Sequence, residues 1–300
     1  MGVYSATWGV NFPDKADACA KEGIHIHMVP GLTSAPPSAS GVDLSDALAA
    51  LEGMANAGCG LRIVSIHWGH EFEGYPTVCQ MRVARQLVAA GADIVLGAHS
   101  HTQQPAEVLL VNGYTGASPD EASVLEQLPQ WCRLEAVDGP PRKALVLYGM
   151  GAQACGCLLH ESMLCVLTPL FLMGSGNFCS TMFNEICRVG LLMTLRVSPP
   201  TNANSNHPWS WSLPSWHWLY NDAAVIRGAT WARGTPRRLI HIASDGAEAW
   251  AASTEAKTLA SRQRKLVDFV RCHVTGVGPD AQHAAKAAAP ERKLPPPMWL

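Results

Sequence analysis

Hydrophobic and polar positions between residues 61 and 101 follow a pattern that predicts a strand, a helix and a second strand. Residues 61–66 form an apolar run rich in isoleucine and valine, residues 78–90 have the apolar spacing of a helix, and residues 94–96 are apolar again. Short apolar runs bounded by turn residues are typical of buried strands. This order within about forty residues predicts a βαβ unit with parallel strands and a right-handed crossover.

The rest of the chain extends this pattern and predicts an α/β fold. We expect a helix at residues 44–57, with Asp43 or Ser45 as its cap and Gly58 as its stop. Further strands are predicted at residues 3–8, 107–111, 143–147 and 190–197.

Composition changes along the chain predict its organisation. Residues 1–200 are expected to hold the α/β domain, with a polar, turn-rich insertion at about 113–170. Residues 201–278 are predicted to form an irregular segment rich in tryptophan followed by a helix, and residues 279–300 a disordered tail. The tryptophans of the irregular segment could serve an interface, but we expect them to pack on the protein's own core: Trp209, Trp211, Trp216 and Trp218.

Histidine follows both strands of the βαβ unit. His67 ends the first strand, and His99 and His101 come directly after the second. The carboxyl ends of parallel strands meet at one edge of the sheet, where α/β proteins bind ligands. Because neutral imidazole is the commonest metal ligand, the three side chains predict a metal site. His70 and Glu71 lie one turn further on and are candidates to orient a ligand.

Other residues near these histidines have weaker predictions. Trp68 follows His67 and is a candidate to wall a pocket. His25 and His27 form an H-x-H pair, the alternative source of a second ligand pair. The competing interpretation is coincidence, because the chain has 12 histidines and most isolated ones are surface or packing residues.

Charge and composition exclude several classes of function. The chain has 22 basic and 24 acidic residues, a net charge of −2, so the basic surface of a nucleic-acid-binding protein is not expected. A polyanionic or phosphorylated substrate stays open, because a metal ion can supply local positive charge. The apolar tract at residues 158–173 is shorter than the roughly 20 residues of a transmembrane helix, so none is predicted. The 10 cysteines show no paired C-x-x-C spacing and are expected to be reduced thiols.

The segments around the histidines resemble the bacterial capsule-synthesis family of CapA and poly-γ-glutamate synthesis proteins, which has the calcineurin-like metallophosphatase fold. Residues 63–71 (IVSIHWGHE) and 91–101 (GADIVLGAHSH) carry the resemblance. Residues 174–178 (GSGNF) are similar to a later element of the family, and residues 8–11 (WGVN) to an aromatic-Gly-x-Asn turn.

The resemblance implies an αββα sandwich with a centre of two divalent ions, of Mn, Fe or Zn. It implies that His67 and His99 bind one ion and that His101 serves the other and takes part in catalysis. Asn11 and Asn177 would lie beside the centre. Family chemistry is the attack of a metal-activated hydroxide on a phosphate ester or related bond, which implies a phosphorylated or polyanionic substrate.

The sequence also departs from this family. A strand ending in Gly-Asp and an Asn-Asn-His element, which supply a bridging carboxylate and an amide ligand, do not occur, so we expect a sandwich incomplete at its N-terminus. Asp14, Asp43 or Glu71 could substitute for the carboxylate. The sequence therefore supports a metal-dependent hydrolase of the capsule-synthesis type, with a catalytically inactive fragment or binding and scaffold relative as the alternative.

Overall fold

The computed structural model describes the main part of the first half of the chain and several strands of the second. The described residues are 1–9, 17, 20–23, 25–29, 42–102, 104–128, 132–135, 139–150, 170–174, 189–198, 209–212, 215–222 and 238–241. Only the backbone is described at residues 170–174, 189–194, 215–222 and 238–241. Asn11, Asn177, the helix predicted after the tryptophan-rich segment and the tail lie outside the described residues.

Six strands form the main sheet, and the predicted βαβ unit lies at its centre. The strands are β1 (Gly2–Thr7), β2 (Arg62–His67), β3 (Ile94–Ala98), β4 (Ala106–Val111), β5 (Arg133–Leu134) and β6 (Arg142–Leu147). Their order across the sheet is β1-β2-β3-β6-β4-β5. Strands β1, β2, β3 and β6 are parallel, and β4 runs antiparallel to β6. The predicted α/β class and the parallel β2–β3 pair are therefore confirmed.

The sheet is flanked by helices α1 (Ser45–Asn56), α2 (Val78–Ala89) and α3 (Pro119–Leu125). Helix α2 begins with a capping box, in which Thr77 Oγ1 accepts from the Gln80 amide and Gln80 Oε1 accepts from the Thr77 amide. Helix α1 has no side-chain cap at Leu44, the residue directly before it, but the predicted Asp43 satisfies the first helical amide. Asp43 accepts hydrogen bonds from both the amide and the hydroxyl of Ser45.

Two hydrophobic clusters cover the two faces of the main sheet. Because side chains alternate along a strand, neighbouring residues of β2 enter opposite clusters. The first cluster joins the sheet to α1 and α2 and includes Leu51, Val64, Ile66, Leu87 and Val95. The second covers the other face and includes Ile63, Ile94, Leu125, Leu145, Leu195 and Trp211. Helices α1 and α2 thus pack on one face, and helix α3 and residues from beyond position 190 pack on the other.

The second half of the chain contributes more strands than its composition predicts. Strands β7 (Leu170–Gly174), β8 (Val189–Leu195), β11 (Ser215–Asp222) and β12 (Arg238–His241) form an antiparallel sheet, and β9 (Val197–Ser198) pairs with β10 (Ser210–Trp211). The prediction of irregular structure for residues 201–218 is therefore wrong at β10 and β11. Aromatic residues at alternate positions of β11 favour a strand despite the many Ser, Asn and Pro residues around them.

Two further predictions concern the organisation of the chain. Residues 113–142 contain helix α3 and strand β5, which pairs with β4, so this segment has more regular structure than a turn-rich insertion. Two tryptophans of the tryptophan-rich segment have described side chains: Trp211 is buried in the second cluster and Trp209 is 39% exposed, so only Trp211 agrees with the predicted packing on the protein's own core. Strands β9 and β10 pair across position 200, and the domain boundary predicted there stays a prediction.

Candidate metal centre

The carboxyl ends of β2 and β3 bring three histidines together. His67 is the last residue of β2 and lies opposite Ala98, so His99 follows at the same edge of the sheet. The ring centroids of His67 and His99 are 4.4 Å apart, and those of His99 and His101 are 6.2 Å apart. The structure therefore joins the three imidazoles that the sequence predicts to converge.

An unusual backbone conformation orients two of these rings. His99 has a φ of 93° and His101 a φ of 55°, a region that residues other than glycine rarely adopt. Such conformations cost about 1–3 kcal/mol each and concentrate at functional sites. Both residues follow β3 directly, and their backbone conformations place the two imidazoles on the same side of the sheet edge. The pattern of apolar and polar residues does not predict these two backbone conformations.

Glu71 joins the histidines as a further candidate donor. The ligand atoms of Glu71, His99 and His101 all lie within 4.8 Å of one another. Glu71 Oε1 is 3.4 Å from His101 Nε2, and its side chain is 51% exposed. His67 does not belong to this three-residue group, but its ring contacts that of His99. The four residues thus form a continuous set of potential ligands.

Hydrogen bonds between two loops hold Glu71 beside the histidines. The Phe72 amide donates to the Ser100 carbonyl at 2.7 Å, and Thr102 Oγ1 donates to the Glu73 carbonyl at 2.7 Å. Gln104 is buried, and its Nε2 donates to the carbonyls of Glu73 and Tyr75 at 3.0 Å each. The loop after β2 is therefore fixed against the loop after β3. The sequence does not predict these roles of Thr102 and Gln104, because every residue has a backbone carbonyl and the acceptors are therefore not visible in the sequence.

Aromatic rings border the cluster on two sides. The ring of Trp8 lies 5.7 Å from that of His99, and the ring of Phe72 stacks on His101 at 5.5 Å with an interplanar angle of 25°. Phe72 has a φ of 63° and is 52% exposed. A bulky residue in this backbone region is strained. The surrounding loop therefore stabilises a conformation that places the phenyl ring at the rim of the site.

Trp68 has a different role from the predicted pocket wall. It is fully buried, its Nε1 donates to the Tyr148 carbonyl at 2.8 Å, and its ring stacks on that of Tyr148. A Cβ atom added at Gly97 would lie 2.5 Å from Trp68 Nε1 and 2.0 Å from the Tyr148 oxygen. Glycine is therefore required at position 97, and Trp68 supports the end of β2 from inside the core. This corrects the prediction for Trp68.

Burial favours the neutral form of two of the histidines. Burial, followed by the positive charges of His99 and His101, lowers the pKa of His67 to about 4, while the Glu71 charge opposes this shift. Burial also lowers the pKa of His99. Neutral imidazole is the form that binds metal ions, so both side chains are ready to bind at neutral pH.

For the metal-free protein, we expect the free energy of unfolding to fall as the pH drops from about 6.5 to about 4. The pKa of His67 is about 4 in the folded chain and returns to 6.5 on unfolding, so the unfolded chain binds the extra proton in this window. The contribution of neutral His67 to the free energy of unfolding is therefore fully present above pH 6.5 and is lost as the pH falls towards 4. Urea midpoints measured with a chelator check the slope, and His67→Gln should flatten it. Equal slopes in both proteins would contradict the expectation.

The geometry of the rings fits divalent ions. A histidine nitrogen bound at about 2.1 Å places its ring centroid about 3.2 Å from the ion, so two rings on one tetrahedral ion have centroids about 5 Å apart. The separation of the His67 and His99 rings is somewhat below this value and that of the His99 and His101 rings is above it, while the ligand atoms of Glu71, His99 and His101 lie within 4.8 Å of one another. His101 Nδ1 is buried without a hydrogen-bond partner among the described residues. These residues therefore offer imidazole and carboxylate donors that fit a divalent ion.

Comparisons with known proteins agree with the motifs. A family model described as bacterial capsule synthesis protein PGA_cap matches residues 2–156, just over half of the chain. The match includes residues 113–142, which carry none of the motifs named above. It ends before residues 174–178, so the resemblance there stays a prediction.

Two curated relatives match shorter segments. The capsule biosynthesis protein CapA of Bacillus anthracis is 34% identical over 107 residues, which are 36% of this chain and 24% of that protein. The PGA biosynthesis protein CapA of Bacillus subtilis (strain 168) is 44% identical over 46 residues, 15% of this chain and 12% of that protein. The matched segments thus span a quarter or less of these relatives. In the part of the chain that the structure describes, no helix is long and apolar enough to cross a membrane. By the extent of the family match, the chain belongs to the bacterial capsule synthesis protein PGA_cap family.

Proposed function

We propose that this protein is a metal-dependent hydrolase of the capsule-synthesis type. The observation that carries the proposal is the meeting of His67, His99 and His101 at the carboxyl edge of two parallel strands, with spacings that suit a pair of divalent ions. Lowered pKa values keep His67 and His99 in the form that binds metal. Mn, Fe and Zn are the ions to test, because imidazole with carboxylate suits all three.

Each candidate ligand has a separate task in this proposal. His67 and His99 would hold one ion, and His101 would bind a second. His101 Nε2 faces the Glu71 carboxylate at 3.4 Å, so Nε2 carries the proton and the buried Nδ1 presents its lone pair. A carboxylate that orients a metal-binding histidine in this way raises its basicity and sets its ring position. Glu71 therefore acts through His101.

The chemistry follows from this arrangement. A pair of bound divalent ions would lower the pKa of a water molecule and polarise a phosphoryl oxygen. His101 is the proposed catalytic residue, because its ring lies between Glu71 and the exposed Phe72, where a substrate can reach it. Trp8 and Phe72 border the two histidines and would limit the access of bulk water.

The relatives suggest the substrate class. One is named for capsule biosynthesis and the other for PGA biosynthesis. We therefore propose a polyanionic or phosphorylated substrate from capsule assembly, with poly-γ-glutamate as the first polymer to test. Bound divalent ions would provide the positive charge that the chain's net charge of −2 lacks.

Metal content and hydrolysis together test the proposal. Purified protein is expected to retain a transition metal through dialysis and to hydrolyse bis-p-nitrophenyl phosphate when Mn²⁺ is added. Chelation should abolish hydrolysis, and His101→Ala should do so with only partial loss of metal. Metal binding without hydrolysis of either the ester or poly-γ-glutamate would favour the binding or scaffold relative. Absence of both would overturn the metal centre itself.

A further inference from the structure

A second group of histidines lies beside β1, outside the candidate metal centre. Residues 25–29 extend along the end of β1: the Thr7 amide donates to the His27 carbonyl at 3.0 Å, and the Val29 amide donates to the Thr7 carbonyl at 2.9 Å. Because side chains alternate along extended chain, His25, His27 and Val29 share one side. Val29 is buried in the cluster that packs on α1 and α2, so this side faces the helices.

The two rings are spaced as for one metal ion. The centroids of His25 and His27 are 5.0 Å apart with an interplanar angle of 76°. This matches the separation of about 5 Å that two imidazoles on one tetrahedral ion require. His25 is exposed, so an ion can reach the pair from solvent.

Two buried polar atoms beside the pair point to a missing partner. The ring of Tyr4 lies 5.0 Å from that of His27, and Tyr4 is only 5% exposed. The Tyr4 hydroxyl and His27 Nδ1 are buried, and neither has a hydrogen-bond partner among the described residues. Buried polar atoms are rarely left without a partner, so each such atom calls for a water, an ion or a ligand. Burial and then Asp46 raise the pKa of Tyr4, so its hydroxyl stays neutral.

The pair is separate from the proposed catalytic centre. Tyr4 packs in the first cluster with Val64 and Ile66, on the side of the sheet that faces the helices. His67 follows the alternation of Ile63, which belongs to the cluster on the opposite face. Neither His25 nor His27 is among the charges that act on the pKa of His67 or His99.

We propose that His25 and His27 form a second metal site. It binds a single borderline transition-metal ion such as Zn²⁺ or Cu²⁺, with the Tyr4 hydroxyl on its inner side. Two imidazoles favour these ions over Ca²⁺ and Mg²⁺, which need several oxygen ligands. Such an ion would tie residues 25–29 to β1, which they meet through an isolated bridge between Thr7 and Met28.

The test uses protein in which the proposed catalytic centre is disabled. In the His99→Ala/His101→Ala background, Cu²⁺ is added to one equivalent and followed by electron paramagnetic resonance, and Zn²⁺ binding is measured by calorimetry. We expect one bound ion with hyperfine coupling to imidazole nitrogens. Adding His27→Ala should weaken binding at least about 10-fold and remove that coupling, because one of two strong ligands is lost. Adding His70→Ala, a matched change at an exposed histidine, should alter neither.

Two results would overturn the proposal. One is the absence of saturable binding in the His99→Ala/His101→Ala protein, and the other is binding that His27→Ala and His70→Ala affect equally. Circular dichroism identifies a background variant that fails to fold. In that case the native chain is used, and His27→Ala should lower its Zn²⁺ stoichiometry by one without loss of hydrolysis. An unchanged stoichiometry overturns the proposal. Loss of hydrolysis in His101→Ala concerns the catalytic centre alone, so the two proposals fail independently.

Discussion

His99→Ala is expected to lower metal-dependent hydrolysis and metal affinity at least about 100-fold. Partners that only orient metal ligands already contribute 10–100-fold, so the loss of a central ligand should exceed that range. His99 is central because its ring lies 4.4 Å from that of His67 and 6.2 Å from that of His101, while its donor atom lies within 4.8 Å of that of Glu71. Hydrolysis rates across Mn²⁺ concentrations and metal content after dialysis measure both effects.

The substitution leaves the backbone strain at position 99 nearly unchanged, so any effect can be assigned to the lost imidazole. Histidine and alanine are both unfavourable at a φ of 93°, so His99→Ala removes the imidazole without relieving or adding much strain. His70→Ala is the matched control, because His70 is exposed in the neighbouring loop and lies outside the ligand group, so the structure gives no support to the ligand-orienting role predicted for it. If His99→Ala binds metal as tightly as His70→Ala does, the proposed centre is wrong.

The strands that carry the histidines could be predicted because their signal is local. The apolar runs before His67 and His99 are short, bounded and separated by a helix with a clear start at Thr77. Parallel pairing then follows from the βαβ order, and it determines that both histidines lie at one edge. These steps need no knowledge of distant contacts, and the observed β2–β3 register agrees with them.

The detailed shape of the candidate centre could not be predicted in this way. Glu71 reaches the histidines only because Gln104 and Thr102 hold the carbonyl of Glu73, a contact across about thirty positions that follows loop geometry and not any period of the sequence. The positive φ of His101 likewise follows from how the loop packs. The composition around β11 also gave a wrong prediction of irregular structure, because this strand depends on its pairing with β8.

A buried ion pair between helix α2 and strand β4 supports the second large prediction. Arg85 donates to both carboxylate oxygens of Glu107, at 3.0 and 2.9 Å, and the Tyr148 hydroxyl donates to Glu107 Oε2 at 2.5 Å. Burial, followed by the Glu107 charge, raises the pKa of Tyr148 well above its ordinary value, so the phenol keeps its proton. The same residue accepts from Trp68 through its carbonyl, which links this network to the end of β2.

Arg85→Met is expected to lower the free energy of unfolding by about 3–5 kcal/mol, because it leaves the Glu107 carboxylate buried without its cation. Arg82→Met makes the same chemical change at an exposed position of α2 and should cost within about 0.5 kcal/mol. Arg85→Met/Glu107→Leu should recover part of the loss, since no unpaired charge is then buried. Urea unfolding of the three variants measures these differences. Equal losses in Arg85→Met and Arg82→Met would show that the pair contributes nothing, and no recovery in the double variant would show that Glu107 stabilises the fold through Tyr148 alone.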